Sequence, residues 1–134
     1  MADYALEFGW PGDGGLGERL IGEVMSGEKT ATCCPRSDYE EDELAEVISS
    51  EGEVLDVVDA DGNVRCRVRM VAVYETTFGR PAPGLVRGEG FGSDRDAFRR
   101  DHTQAWAEEM EEEGHPLTDD TILVVEEFEL VEEE

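Results

Sequence analysis

From Glu53 the apolar residues repeat every second position, and no other feature of the chain constrains its fold as strongly. Val54 to Val58 reads as a strand, Asp59-Ala60-Asp61-Gly62-Asn63 as a hairpin turn, and Val64 to Phe78 as a long return strand. Along the return strand Val64, Cys66, Val68 and Met70 face one way, while Arg65, Arg67 and Arg69 face the other. The arginine row has two readings. It contacts a nucleic acid, or it forms a solvated strand face paired with carboxylates such as those of the Glu126–Glu129 strand. In a chain this acidic the second is the expected one.

Around the hairpin the period is helical. Leu16, Leu20, Ile21, Val24 and Met25 share a helix face, with Asp13 upstream as cap and Gly27 as stop. Thr30-Ala31-Thr32-Cys33-Cys34 is a β-prone run ended by Pro35. Ser37 to Ser50 carries a weak helical pattern at Leu44, Val47 and Ile48. After a Pro/Gly-rich bend over Arg80 to Gly84, Arg87-Gly88-Glu89-Gly90-Phe91-Gly92 reads as a flexible loop. Ser93 with Asp96 resembles a capping box for a helix that carries Phe98, His102, Trp106 and Met110 on one face and stops at Gly114. Thr121 to Val131 is an apolar strand. This order of elements predicts an α+β fold with a mainly antiparallel sheet. With no internal repeat and no long linker, residues 1–134 read as one domain.

The charge is lopsided: 35 acidic side chains face 11 basic ones, for a net −24. Lys29 is the sole lysine, and the acids run from Asp3 to Glu134, with only Glu132 to Glu134 resembling a tail. A dispersed acidic coat nearly devoid of lysine is the composition of proteins from salt-in halophiles, here of a haloarchaeal type. In molar salt the Debye length is about 3 Å, so long-range steering of phosphates is screened away. Any nucleic-acid role must then rest on close geometric contacts. No segment approaches the roughly 18 apolar residues of a membrane span. Met1-Ala2-Asp3-Tyr4 lacks the basic start and apolar run of a signal peptide, so a cytoplasmic protein is expected. Cys33, Cys34 and Cys66 form neither a disulfide framework nor a zinc pattern, and His102 and His115 have no metal-like spacing. No metal and no cofactor are expected. Reduced cysteines, small and buried in strands, are.

Gly27-Glu28-Lys29-Thr30-Ala31-Thr32 carries the chemistry. A lysine kept where arginine has replaced every other one is either a leftover surface residue or does something arginine cannot, since only lysine can give up its proton. Strand alternation would send Lys29 and Thr32 to opposite faces, so their convergence requires Lys29 to lie in the turn before the strand. His102 shares its helix face with Phe98 and Trp106 and reads as a core histidine. Trp10 and Trp106 read as core as well.

Gly-x-Lys-x-x-Thr after an N-terminal helix, together with Glu89-Gly90 after the hairpin and the closing strand Val124-Val125-Glu126-Glu127-Phe128, resembles the ASCH domain, a relative of the PUA RNA-binding fold. The resemblance runs from about Tyr4 to Val131. It implies a small, mainly antiparallel β-barrel flanked by helices. It also implies a metal-independent hydrolase similar to N4-acetylcytidine amidohydrolase, with Lys29, Thr32 and Glu89 catalytic, Thr30, Arg87 and His102 binding substrate, and a small nucleoside or RNA as partner. In that chemistry Lys29 is base or nucleophile, Glu89 relays the proton, and Thr32 donates to the oxyanion or orients Lys29. Two rival readings stand beside it: a non-catalytic RNA-binding module of PUA type, and an ASCH ribonuclease in which His102 gains a role. The chain is longer than the compact amidohydrolases, with an added acidic segment around Asp38 to Ser50 and a full helix after Glu89, which leaves the substrate open.

Overall fold

The computed structural model describes residues 5–131. Met1–Tyr4 and the acidic end Glu132–Glu134, both singled out in the sequence, lie outside the described residues. Five strands and four helices follow in the order β1 (Leu6–Glu7), α1 (Leu16–Ser26), β2 (Ala31–Pro35), α2 (Glu41–Ser49), β3 (Val54–Val58), β4 (Val64–Thr77), α3 (Pro83–Gly88), α4 (Arg95–Glu112) and β5 (Ile122–Leu130), with a 3₁₀ turn at Arg36–Asp38. The strands form one sheet in the order β1-β3-β4-β5-β2. The β1–β3 pair is parallel and the rest are antiparallel. The expected barrel takes the form of a curled half-barrel, because β1 is two residues long and the sheet ends there and at β2.

The hairpin forms where the alternation placed it. Leu55 and Val57 of β3 and Cys66, Val68 and Met70 of β4 are buried, and they pack with Leu6, Phe8, Phe128 and the α1 residues Ile21 and Val24. Burying each such side chain contributes about 1.5–3 kcal/mol. The register of β4 against β5 shifts between Met70 and Ala72, leaving Val71 exposed. This bulge inverts the alternation. Met70 pairs with Phe128 and Val73 with Glu126, so both look into the first core. Tyr74 lies on the opposite face, which a second core covers with Leu85 and Val86 of α3 and Phe98 of α4. One strand thereby serves two cores.

Gly27 ends α1 in the left-handed conformation, φ 85°. Asp13 acts at the other end from outside the helix: its carboxylate accepts from the backbone N–H groups of Trp10, Gly15 and Gly17. The cap of α4 is Asp94, which accepts from the Ala97 N–H at 3.0 Å, rather than the Ser93–Asp96 box read from the sequence. The stretch over 83–88 is also a correction, since it is a helix with Pro83 at its start rather than bend and loop. Its glycines serve close approach. A Cβ on Gly88 would lie 2.5 Å from the Ala31 Cβ, and one on Gly84 would lie 2.8 Å from Oε2 of Glu127. Trp10 is a third correction: it stands in the connection between β1 and α1 and is 57% exposed, whereas Trp106 packs on the second core. No helix among the described residues is long and apolar enough to cross a membrane.

Candidate functional site

The site forms where three short-range features converge. Gly27 turns the chain out of α1 so that Lys29 precedes β2, its backbone N–H bonded to the Glu23 carbonyl at 3.0 Å. The Thr30 N–H donates to the Gly88 carbonyl at 2.8 Å, which ties the start of β2 to the end of α3. Glu89 is the residue that caps α3, and its N–H donates to the Leu85 carbonyl at 2.9 Å. The glycine at 88 lets strand and helix come close enough for Lys29 and Glu89 to meet.

Lys29 is 4% exposed, and its Nζ donates to Oε1 of Glu89 at 3.3 Å. Nε2 of His102 lies 3.4 Å from the same oxygen. Sγ of Cys33 donates to Oε2 at 3.2 Å. Three chemically active side chains, from the α1–β2 turn, β2 and α4, thus gather on one carboxylate at the end of α3. Phe98 stacks on the His102 ring at a centroid distance of 4.1 Å, and Trp106 meets it edge-on at 4.7 Å. His102 is therefore a core histidine and a member of the site at once.

The electrostatics follow from burial set against partners. Burial raises the carboxyl pKa of Glu89, but His102, Lys29 and the Cys33 thiol together outweigh it and hold Glu89 below the usual carboxylate value. Burial likewise disfavours a charged His102. The bonds to Glu89 and to the Phe98 carbonyl overcome this and raise its pKa. Nδ1 of His102 lies 2.8 Å from the Phe98 carbonyl, which can only accept, so Nδ1 carries a proton. Burial first, and then the Glu89 charge, push the Cys33 thiol well above its ordinary value, so it stays a donor.

The other sequence candidates are placed differently. Thr32 alternates with Cys33 along β2 and pairs with Glu126, on the sheet face away from Glu89. Among the described residues no hydrogen bond joins it to Lys29 or Glu89. Thr30 and Arg87 are exposed. Arg87 and Arg95 flank a depression of about 180 Å³ that Pro83, Val86, Gly92 and Ser93 complete. The residue missed by sequence reading is Cys33. The alternation that turns Thr32 away from Glu89 turns Cys33 toward it, and this was legible once Lys29 was placed before the strand. Cys33, Cys34 and Cys66 are not joined in disulfides. The arginine row is ion-paired: Arg65 with Glu18 at 2.5 Å and Asp59 at 3.3 Å, Arg67 with Asp56 at 3.1 Å, and Arg69 with Glu129 at 3.9 Å. Glu129 belongs to the strand the sequence pointed to. The remaining partners come from α1, β3 and the hairpin turn.

The family model of the ASCH domain matches residues 7–132. The chain belongs to the ASCH domain family. Its fold is that of the PUA-like, RNA-binding domains to which the family is related. The ASCH domain of Lactobacillus crispatus JV V101, a crystal structure, superposes with a TM-score of 0.72 at 21% identity, covering 94% of this chain and 79% of that one. A protein of Enterococcus faecalis V583, also a crystal structure, superposes at 0.77 with 24% identity, covering 98% and 78%. At these identities the likeness concerns the fold. No protein of curated function matches the sequence.

Proposed function

We propose that this ASCH domain is a metal-independent hydrolase acting on a small acylated nucleoside of the N4-acetylcytidine kind, within one domain spanning residues 1–134. The observation that carries the reading is the buried amine of Lys29 held 3.3 Å from Glu89, with His102 on the same carboxylate oxygen. Amide hydrolysis needs a base, a proton for the leaving amine and a place for developing charge. In the proposed sequence Glu89 takes a proton from Lys29 as substrate excludes water. The freed Nζ lone pair then takes a proton from a water, whose oxygen attacks the acyl carbon. The proton passes from Glu89 to the departing nucleobase amine. His102 positions Glu89 and keeps its charge available. Thr32 lies on β2, an edge strand of the sheet. Its hydroxyl, on the far face, serves a ligand that folds over this edge, while Thr30 and Arg87 meet the ligand's polar rim. The composition supports an intracellular protein of a salt-in organism.

A second reading has its own support. Arg87 and Arg95 flank the small depression beside α3, which suits a phosphate of RNA at close range. The two readings part on Lys29→Arg, assayed in concentrated KCl with acetylated cytidine and with RNA. Arginine keeps the cation but, with a pKa above about 12, cannot give up the proton. The hydrolase reading expects turnover to vanish while binding of a substrate analogue persists. Retained hydrolysis sinks the mechanism. RNA binding by a parent protein that hydrolyses nothing puts the binding module first.

A further inference from the structure

The cluster around Glu89 also has the composition of a metal centre. Cys33, Glu89 and His102 each offer one donor atom, and all three atoms lie within 4.8 Å of one another. A tetrahedral zinc ion, with bonds of about 2.3 Å to sulfur and 2.0–2.1 Å to nitrogen or oxygen, needs its donors roughly 3.3–3.6 Å apart. Sγ of Cys33 lies 3.2 Å from Oε2 of Glu89 and Nε2 of His102 lies 3.4 Å from Oε1, so each pair is near this spacing through a different carboxylate oxygen, and the carboxylate must turn for one oxygen to serve the ion.

The second observation is the orientation of the histidine. A metal-binding imidazole uses one ring nitrogen for the ion and anchors the other by donating to a carbonyl or carboxylate. His102 has this arrangement: Nδ1–H is bonded to the Phe98 carbonyl at 2.8 Å, and Nε2 is turned toward Cys33 and Glu89. The ring is further fixed between Phe98 and Trp106. The donors come from β2, the end of α3 and α4, elements far apart in the chain, which is why no ligand spacing appears in the sequence.

We propose that Cys33, Glu89 and His102 form a zinc-binding site with an open fourth position. Zinc enters as the Cys33 thiol proton and the proton at Nε2 of His102 leave for solvent, and Glu89 passes from the Lys29 contact to the ion. Cobalt and cadmium, which accept the same sulfur, nitrogen and oxygen donors, are the working probes. Zinc and the metal-independent reaction compete for Glu89, so the zinc-loaded chain should not hydrolyse; ion binding is read without substrate and hydrolysis without zinc, and either proposal can therefore fail while the other stands.

The test uses the folded, tag-free chain titrated with cobalt(II). The expected result is a thiolate-to-cobalt charge-transfer band that saturates at one equivalent and is bleached by zinc. Loss of a hydrogen-bond partner to a metal ligand typically weakens binding about 10–100-fold, and loss of a ligand should do at least as much. Cys33→Ser should therefore remove the band, and His102→Gln should weaken zinc binding by about 100-fold in competition with a chromogenic chelator. Cys34→Ser should leave both intact. Zinc should also raise the melting temperature of the unmodified protein, a readout that survives if a variant does not fold. Absence of the band in the folded protein, or a band that Cys33→Ser leaves unchanged, overturns the proposal.

Discussion

Replacing Glu89 with glutamine tests the central inference, because three groups converge on that one carboxylate. Glu89→Gln keeps the shape and removes the charge. Lys29, 4% exposed, then remains as a buried ammonium without its counter-ion, and His102 loses the acceptor that sustains its proton. Breaking a buried pair by removing one partner costs about 3–5 kcal/mol. The glutamine oxygen still accepts one hydrogen bond and His102 can shed its proton, which places the expected loss near the bottom of that range, about 3 kcal/mol. For a domain of this size each kcal/mol corresponds to roughly 3–4 °C, so the melting temperature should fall by about 10 °C. Denaturant unfolding at constant salt, followed by circular dichroism, measures it. Changing Lys29 to methionine and Glu89 to leucine together should recover much of the loss, since the uncompensated charge disappears with its partner. A loss below about 1 kcal/mol for Glu89→Gln would show that Lys29 is effectively solvated, and the case for a desolvated amine would fall with it.

Further predictions concern pH, salt and the arginine row. Glu89 ionises more readily in the folded chain, so its contribution is present above about pH 4.3 and is lost as pH falls through its lowered pKa. His102 holds its proton more tightly when folded, so its contribution is full below about pH 6.5 and fades as pH rises through its raised pKa. Stability should thus decline with rising pH above about 6.5, by a step that His102→Gln abolishes; parallel curves for the two proteins would contradict the pairing. A net charge of −24 predicts unfolding on dialysis from molar to millimolar KCl, and a melting temperature indifferent to that change would remove the halophile inference. Changing Arg65, Arg67 and Arg69 together to glutamine should lower the melting temperature only slightly and leave ligand affinity alone, because exposed ion pairs contribute little. RNA affinity that fell at an unchanged melting temperature would instead assign the row to a ligand.

The features legible from the amino-acid order are local and periodic. Alternation in Val54–Val58 and Val64–Thr77 specifies the hairpin, and the helical spacing of Leu16 to Met25 with Gly27 specifies α1 and its end. These signals are strong because a side chain's face depends on its position in its own element. The motif order was enough to indicate the family, and the solitary lysine marked one end of the site. Tertiary structure decided the rest. Read alone, Pro83 to Gly88 holds a proline and two glycines among its six residues and reads as bend and loop. It is helical because Pro83 fits a first turn and because Gly84 and Gly88 let α3 press against Glu127 and Ala31. Thr32 is the candidate on β2 and Cys33 reads only as a buried cysteine; the chain path sets Cys33 toward Glu89. His102 reads as core because it shares a helix face with Phe98 and Trp106, and only the docking of α4 beside the end of α3 turns its Nε2 onto a carboxylate from another element. Contacts between residues 56 and 60 positions apart, such as Cys33 and Lys29 with Glu89, leave no periodic trace in a chain. Only packing brings them together.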